Sequence, residues 1–412
     1  MALGSIKFNS KAIAIYGVVQ TAEGQSAVID SGSTTGTITT TTSSALVTGD
    51  GGNAFFTELA PGIYLYDSTG TEIGQVKSVE SNIGATLEAN AAIAVTGGAF
   101  ATGMGPKNAL AVLNLNFSTE LTSEAFQYTG NELNRDEETV IKDKFAKMDF
   151  ENFLPSLGTL GTPGAPPLKS EVPLVPWFTS SGFALDLSTN DTARYTNAIS
   201  SNNFLTIEVR RSSPGSVTDK TFTTIDNRGN IDLDATIGTR AKLKFNYQGN
   251  LVNVTQKPPL TADFGDQKAE HAPSLKSTTI TQSELGLYTG ATPPVYTGIS
   301  NVGFDKLQAP NLSGFDYARY QTGVGDGWSK EATPTDVTIT ILEDAADATY
   351  NPDNHLEENH GLKVVAGNTV GKTVELNFEK LQLANVSNST VAAYTGQDLA
   401  FRNVGTTDII LT

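Results

Sequence analysis

Residues 240–247 place Ala241, Leu243, Phe245 and Tyr247 at every second position, with Arg240, Lys242, Lys244 and Asn246 between them. A period of two is the period of a strand, and one apolar face opposite one charged face is the pattern of a sheet covered on one side only. Sheets wet on one side are antiparallel. The pattern returns where Leu113, Leu115 and Phe117 alternate with asparagine, and where Val374, Leu376 and Phe378 alternate with polar residues. Further strands are expected over 11–19, 26–30, 204–210, 220–225, 337–342, 373–383, 399–404 and 408–411. Only 17% of the chain is charged and 38% is hydrophobic, and 39 glycines supply turns, which suits a mainly β fold. There is no cysteine, so neither a disulfide framework nor a thiolate metal site is available.

From 33 to 103 the composition shifts to Thr, Ser, Gly and Ala in short strand-like pieces. Ile63, Leu65, Ile73, Val76, Val79 and Leu87 fall at strand spacing, which a flexible linker does not need. The expected organisation is a main domain over 1–32 and 104–412, interrupted by a small inserted β-barrel over 33–103. Residues 155–176 are rich in Pro and Gly and read as an extended loop. A short helix follows, with Ser170 as N-cap and Gly182 as its stop. Residues 256–310 read as a polar surface excursion, and 343–362 as a short helix and turn.

The formal net charge is −17. Affinity for nucleic acid requires cations that displace counterions, so conventional DNA binding is disfavoured, whereas a wall past which DNA must slide would want this sign. The first twenty residues lack the apolar core of a signal peptide, and no run of about 18 apolar residues marks a membrane helix.

Four motifs touch on chemistry, and each has a plainer explanation. Asp30-Ser31-Gly32 matches half of an aspartic-protease pair, but that reaction needs two carboxylates sharing a proton and no second copy exists. Residues 366–373 miss the phosphate-cradling glycine loop by one position and lead into a strand pattern, so a hairpin turn is expected. His355 and His360 are five apart and fall on different helix faces. Asp226, Asn227, Asn230, Asp232 and Asp234 lack the spacing of a calcium loop and read as a turn. No catalytic, cofactor-binding or metal-binding residue is assigned, and the expectation is a protein that is not an enzyme.

Residues 126–155 combine a turn, a dense mixed-charge stretch and a strand carrying Phe145, Met148, Phe150 and Phe153. The charged stretch, 131–144, is expected to be a loop that meets something outside its own fold. Its contact residues are Asn131, Glu132, Arg135, Asp136, Glu137, Glu138, Lys142, Asp143 and Lys144. An ordered set of features resembles the tail tube (major tail) protein of long, flexible-tailed bacteriophages. They are Lys11-Ala12-Ile13-Ala14-Ile15-Tyr16-Gly17; Tyr128 through Glu137 with the strand ending Phe153-Leu154-Pro155; Val175-Pro176-Trp177-Phe178 with Gly182-Phe183; and Gly238-Thr239-Arg240 leading into Lys242 through Gly249.

That resemblance implies a β-sandwich or half-barrel flanked by a short helix, six copies of which close a ring by joining sheet edges. Rings stack into a hollow tube that conducts genomic DNA without binding it specifically. It further implies tape measure, tail terminator and distal tail proteins as partners, no membrane, and a virion tail assembled in the host bacterial cytoplasm. A ring of six would carry about −100. The inserted module is expected to project outward as decoration. The alternative is a surface-exposed β adhesin that binds glycans, favoured by the Thr/Gly content and the inserted barrel, and disfavoured by the missing signal peptide and the helix-containing core.

Overall fold

Alternation becomes antiparallel sheet almost everywhere in the computed structural model. It describes the chain apart from residues 1–12, 30–33, 130–134, 159–162, 199–202, 213–217, 261, 265–266, 268–271, 277–278, 289–295, 301–302, 323–324, 343–350, 369–371 and 392–393; for 121–129, 135–143, 170, 296–300, 318–322, 325–328, 391 and 394 it describes backbone alone. The fold is mainly β, built from antiparallel sheets that include a half-barrel, with two short helices among the described residues. No helix among them is long and apolar enough to cross a membrane. The chain divides into two compact units, Met1–Asp149 with Phe204–Arg228 and Asn246–Asp263, and Phe150–Asn203 with Gly229–Phe245 and Phe264–Thr412.

In the first unit, Ile13–Val19 pairs with Leu205–Arg211 along its whole length and with Ala109–Leu110 at Ile15 and Tyr16. Leu205–Arg211 pairs in turn with the first half of Asp219–Thr236. Ile15, Val18, Leu205, Ile207 and Val209 are buried between them. Seven short strands between Ile38 and Gly103 form a separate sheet, in the spatial order Val95–Gly98, Ile38–Thr40, Leu46–Gly49, Gly84–Leu87, Glu72–Ser81, Tyr64–Asp67, Phe100–Gly103. Ile63, Leu65, Ile73, Val76 and Leu87 are buried in it as their spacing predicts, while Val79 is half-buried.

Two expectations fail in this unit. Phe55–Glu58 is a helical turn, not strand, and it swings Phe55 edge-on against Phe100 at 6.0 Å. Residues 26–29 form no strand, because hydroxyls take their backbone groups. Ala27 N–H donates to Thr206 Oγ1 (2.9 Å), Thr102 Oγ1 donates to the Ala27 carbonyl (2.8 Å), and Ile29 N–H donates to Thr102 Oγ1 (2.7 Å).

The second unit packs on aromatic rings. Phe150 stacks on Phe245 at 5.0 Å, and Trp177 stands edge-on to Phe150 at 5.3 Å. Phe178 stacks on Tyr195 at 4.4 Å and meets Phe183 edge-on. The helix is Val175–Ser180, one turn and a half, with every residue but Pro176 buried. Pro176 sits in the first turn, where no backbone donor is lost. Ser170 is not the cap; it lies in the 3-10 turn Lys169–Glu171, and the cap position is Leu174 at φ 62° with no side-chain hydrogen bond. Gly182 ends the helix as expected at φ +96°, and a Cβ there would stand 2.8 Å from Phe315.

The 256–310 segment is not a surface excursion. Ile280–Tyr288 pairs with Asn359–Ala366 and Tyr296–Ser300, and Phe304–Ala309 pairs with Thr335–Leu342 and the end of Asp219–Thr236. Leu285, Leu307 and Ala309 are buried, so the apolar residues scattered among its prolines were strand positions. The hairpin Phe315–Thr322/Gly325–Ala332 has no counterpart in the sequence reading. Within 343–362, the described residues hold a 3-10 turn, Pro352–His355, and the start of the Asn359–Ala366 strand.

Leu243, Phe245 and Tyr247 are buried and Lys244 is exposed, as alternation requires. Phe245→Ala should therefore cost about 3–5 kcal/mol in urea unfolding, while Lys244→Ala should stay within about 0.5 kcal/mol. Equal effects would mean that the faces are not sorted as described.

Candidate assembly surface

Two long strands of the first unit are Leu113–Thr129, of 17 residues, and Arg135–Phe153, of 19, whose last residues belong to the second unit. They are sheet neighbours joined by residues 130–134. At about 3.3 Å per residue, strands of this length run to about 55–60 Å, far beyond a typical strand. Glu120 and Lys147 bridge them at 3.1 Å, each side chain 42% exposed, which fixes register and is worth about 0–1 kcal/mol.

Residues Ala146, Met148, Phe150, Asn152 and Leu154 are buried, while Phe145, Lys147, Asp149, Glu151 and Phe153 face the other way and are half-exposed. The four bulky apolar residues of this strand are thus split between its two faces. Phe145 and Phe153 differ in parity from Met148 and Phe150, and only the latter pair reaches a core.

The expected contact residues are placed as follows. Asn131 and Glu132 lie outside the described residues. Arg135, Asp136, Glu137, Glu138, Lys142 and Asp143 lie on the strand, with only their backbone described, and Lys144 is exposed. The segment expected to be a loop to Lys144 is therefore strand from Arg135 onward. Thr139, Val140 and Ile141 sit in the middle of the charges, and β-branched residues favour extended backbone.

A second ribbon belongs to the second unit. Val374–Val391 pairs with Tyr394–Asn403, and a register shift falls between Leu383 and Asn385. Before the shift Leu381 and Leu383 are buried; after it Asn385, Ser387, Asn388 and Thr390 are exposed, on both parities. In the first unit the outer half of Lys242–Lys257 likewise exposes Val252 (56%) and Val254 (44%). Thr335–Leu342 pairs with the other edge of Tyr394–Asn403 as far as Gly396, so only the last residues of Val374–Val391 stand as a two-stranded ribbon, which has little to hold it in water.

Buried polar clusters brace the first unit. Glu208, fully buried, accepts from Arg210 Nη2 (2.7 Å) and Nε (3.1 Å) and from Lys257 Nζ (2.6 Å), and Arg210 Nη1 donates to the Pro258 carbonyl at 3.1 Å. Two cations and three donors around one carboxylate offset the cost of removing it from water.

Asp226 is the second brace and corrects a reading, because 226–234 is no turn but the middle of the Asp219–Thr236 strand. Asp226 adopts φ 54° where the register slips against Leu205–Ile207. Its carboxylate accepts from Gly24 N (2.7 Å), Gln20 Nε2 (3.0 Å) and Asn250 Nδ2 (3.2 Å), and its own N–H donates to Gln20 Oε1 (2.6 Å). A bulge absorbs the run that spacing alone marked as a turn.

Three of the sequence motifs remain. Asp30-Ser31-Gly32 lies outside the described residues. Residues 366–373 connect Asn359–Ala366 to its antiparallel partner Val374–Val391, so the near-phosphate loop is a hairpin connection, with Gly367 at φ +104°. His360 is buried on a strand, with Nδ1 3.0 Å from the Glu358 carbonyl, and His355 Nδ1 lies 3.0 Å from Glu358 Oε2. Burial lowers the His360 pKa from 6.5. No group of three or more His, Asp or Glu side chains that could hold a metal occurs among the described residues.

No protein-family model matches the chain, and no curated protein matches it.

Two outcomes are expected from these clusters. Asp226→Ala loses charge-assisted bonds and puts a Cβ residue without polar help at positive φ, so it should cost about 3 kcal/mol, with Asp226→Gly recovering about 1; equal losses would remove the backbone part of this account. His360 resists protonation when folded, so the unfolded chain binds the proton first. Stability should be level above pH 6.5 and fall as pH drops from 6.5 through the lower folded value. His360→Asn should flatten that slope in urea unfolding at pH 7 and pH 5, and an unchanged slope would exclude His360 as its source.

Proposed function

We propose that the chain is a structural subunit that completes itself with further copies, and that its assembled form is a tail tube of the long-tailed phage type. The observation that carries this reading is the length of the Leu113–Thr129/Arg135–Phe153 hairpin. A ribbon of that reach is costly for an isolated molecule and useful to one that lies against a neighbour. The exposed Val252 and Val254 and the exposed polar end of Val374–Val391 support the same reading. A charge of −17 suits a wall past which nucleic acid moves without sticking. The role is mechanical, with no substrate turned over. The seven-stranded sheet between Ile38 and Gly103 is decoration on that wall.

Negative-stain microscopy of the purified chain should show rings or tubes about 100 Å wide, the size of several such domains around a channel. Dispersed monomers that bind sugars would favour the adhesin reading instead. Shortening the hairpin by removing 121–129 and 135–143 together keeps its register and turn. The variant should retain the wild-type circular dichroism and lose assembly; normal tubes from it would overturn the hairpin's role. Excising 34–103 should leave assembly intact.

A further inference from the structure

Arg211 and Lys220 stand directly opposite each other on the antiparallel pair Leu205–Arg211/Asp219–Thr236. Like charges in that position repel, and sheets normally avoid them or place a countercharge beside them. Here the aromatic surroundings hold both cations in place. The Arg211 guanidinium lies 5.2 Å from the Phe117 ring and 5.1 Å from the Phe222 ring, and Lys220 Nζ lies 5.1 Å from Phe222. Arg211 Nη2 reaches the Phe117 carbonyl at 3.4 Å, its Nε is buried with no acceptor, and neither residue has a carboxylate partner among the described residues. Burial lowers the Arg211 pKa, the direction expected of a cation short of a countercharge. In a chain with 44 acidic and 27 basic residues, a paired, uncompensated cation site is a place where an anion is missing.

We infer that Arg211 and Lys220 receive the acidic hairpin end, Asp136, Glu137 and Glu138, of a second copy of this chain. The inference rests on the assembly reading above and names its contact. Charge complementarity selects the partner: between 132 and 138 the sequence carries four carboxylates against one cation, Arg135. Distance selects a second copy over the same one. The Glu120–Lys147 bridge sets the hairpin register close to Phe117, and Glu138 lies nine residues from Lys147 along the strand. That is about 30 Å at the rise of an extended chain, beyond the reach of any side chain. Carboxylates brought to two cations on an aromatic floor form charge-assisted bonds shielded from water, which set orientation as well as affinity.

Complementation in trans tests this. Arg211→Glu/Lys220→Glu and Asp136→Lys/Glu137→Lys/Glu138→Lys should each stay folded by circular dichroism and each raise the concentration needed for assembly about tenfold or more. An equimolar mixture should assemble as alternating copies near the wild-type concentration. Lys220→Glu alone, at an exposed position, covers the case in which Arg211→Glu does not fold, and should give a smaller rise. Wild-type assembly with an unimpaired Lys220→Glu variant, or variants that the mixture fails to rescue, would overturn the contact while leaving the tube reading standing. Wild-type chains that never associate would overturn both. Binding of duplex DNA by the wild type that Lys220→Glu abolishes would assign the site to phosphate instead and overturn the proposal.

Discussion

Every long strand in this protein must find a partner for its backbone, and that requirement organises the rest. A strand leaves a row of donors and acceptors on each edge, and each buried one without a partner costs as much as a lost hydrogen bond. The chain meets the demand with antiparallel neighbours in both units, and it makes the exceptions visible. Residues 26–29 give up strand pairing because two threonine hydroxyls, Thr102 and Thr206, serve their backbone instead. Asp226 adopts φ 54° because its carboxylate and Gln20 supply the bonds that the slipped ladder cannot.

Apolar burial then decides which lengths of ladder belong to a core. Phe150, Trp177 and Phe245 form one cluster and Phe178, Phe183 and Tyr195 another, so the strands around them are anchored on one face. Past Gly249 the strand that carries Phe245 runs on without such anchors, leaving Val252 and Val254 exposed. Hydrogen bonding is satisfied there while burial is not. That mismatch is the physical basis for reading the molecule as a subunit, since the missing burial is what a neighbouring copy supplies.

Charge acts at a finer scale than the net value. Glu208 is enclosed with Arg210 and Lys257, a cluster that ties Leu205–Arg211 to the end of Lys242–Lys257. Arg211, the residue next to Arg210 and on the opposite face, has no such compensation. Adjacent arginines on one strand thus serve inward and outward roles because successive side chains point to opposite faces.

Alternation placed Leu243, Phe245 and Tyr247 in the core and Lys244 outside, and the spacing of Ile63, Leu65, Ile73, Val76 and Leu87 marked a core in a Thr-rich stretch that composition alone would call a linker, whereas Leu113, Leu115 and Phe117 alternate as cleanly and none of them is buried. Periodicity is local, so it survives without knowledge of neighbours. It failed where a partner from far along the chain settled the outcome. The run from Asp226 to Asp234 looks like a turn until Gln20, Gly24 and Asn250 hold it as a bulged strand, and Ile280–Tyr288 looks like surface until Asn359–Ala366 pairs with it. The pairing of Arg211 with Lys220 was likewise invisible in the sequence, because which residues stand opposite each other is a property of register, and register is set by contacts across the sheet rather than along the strand.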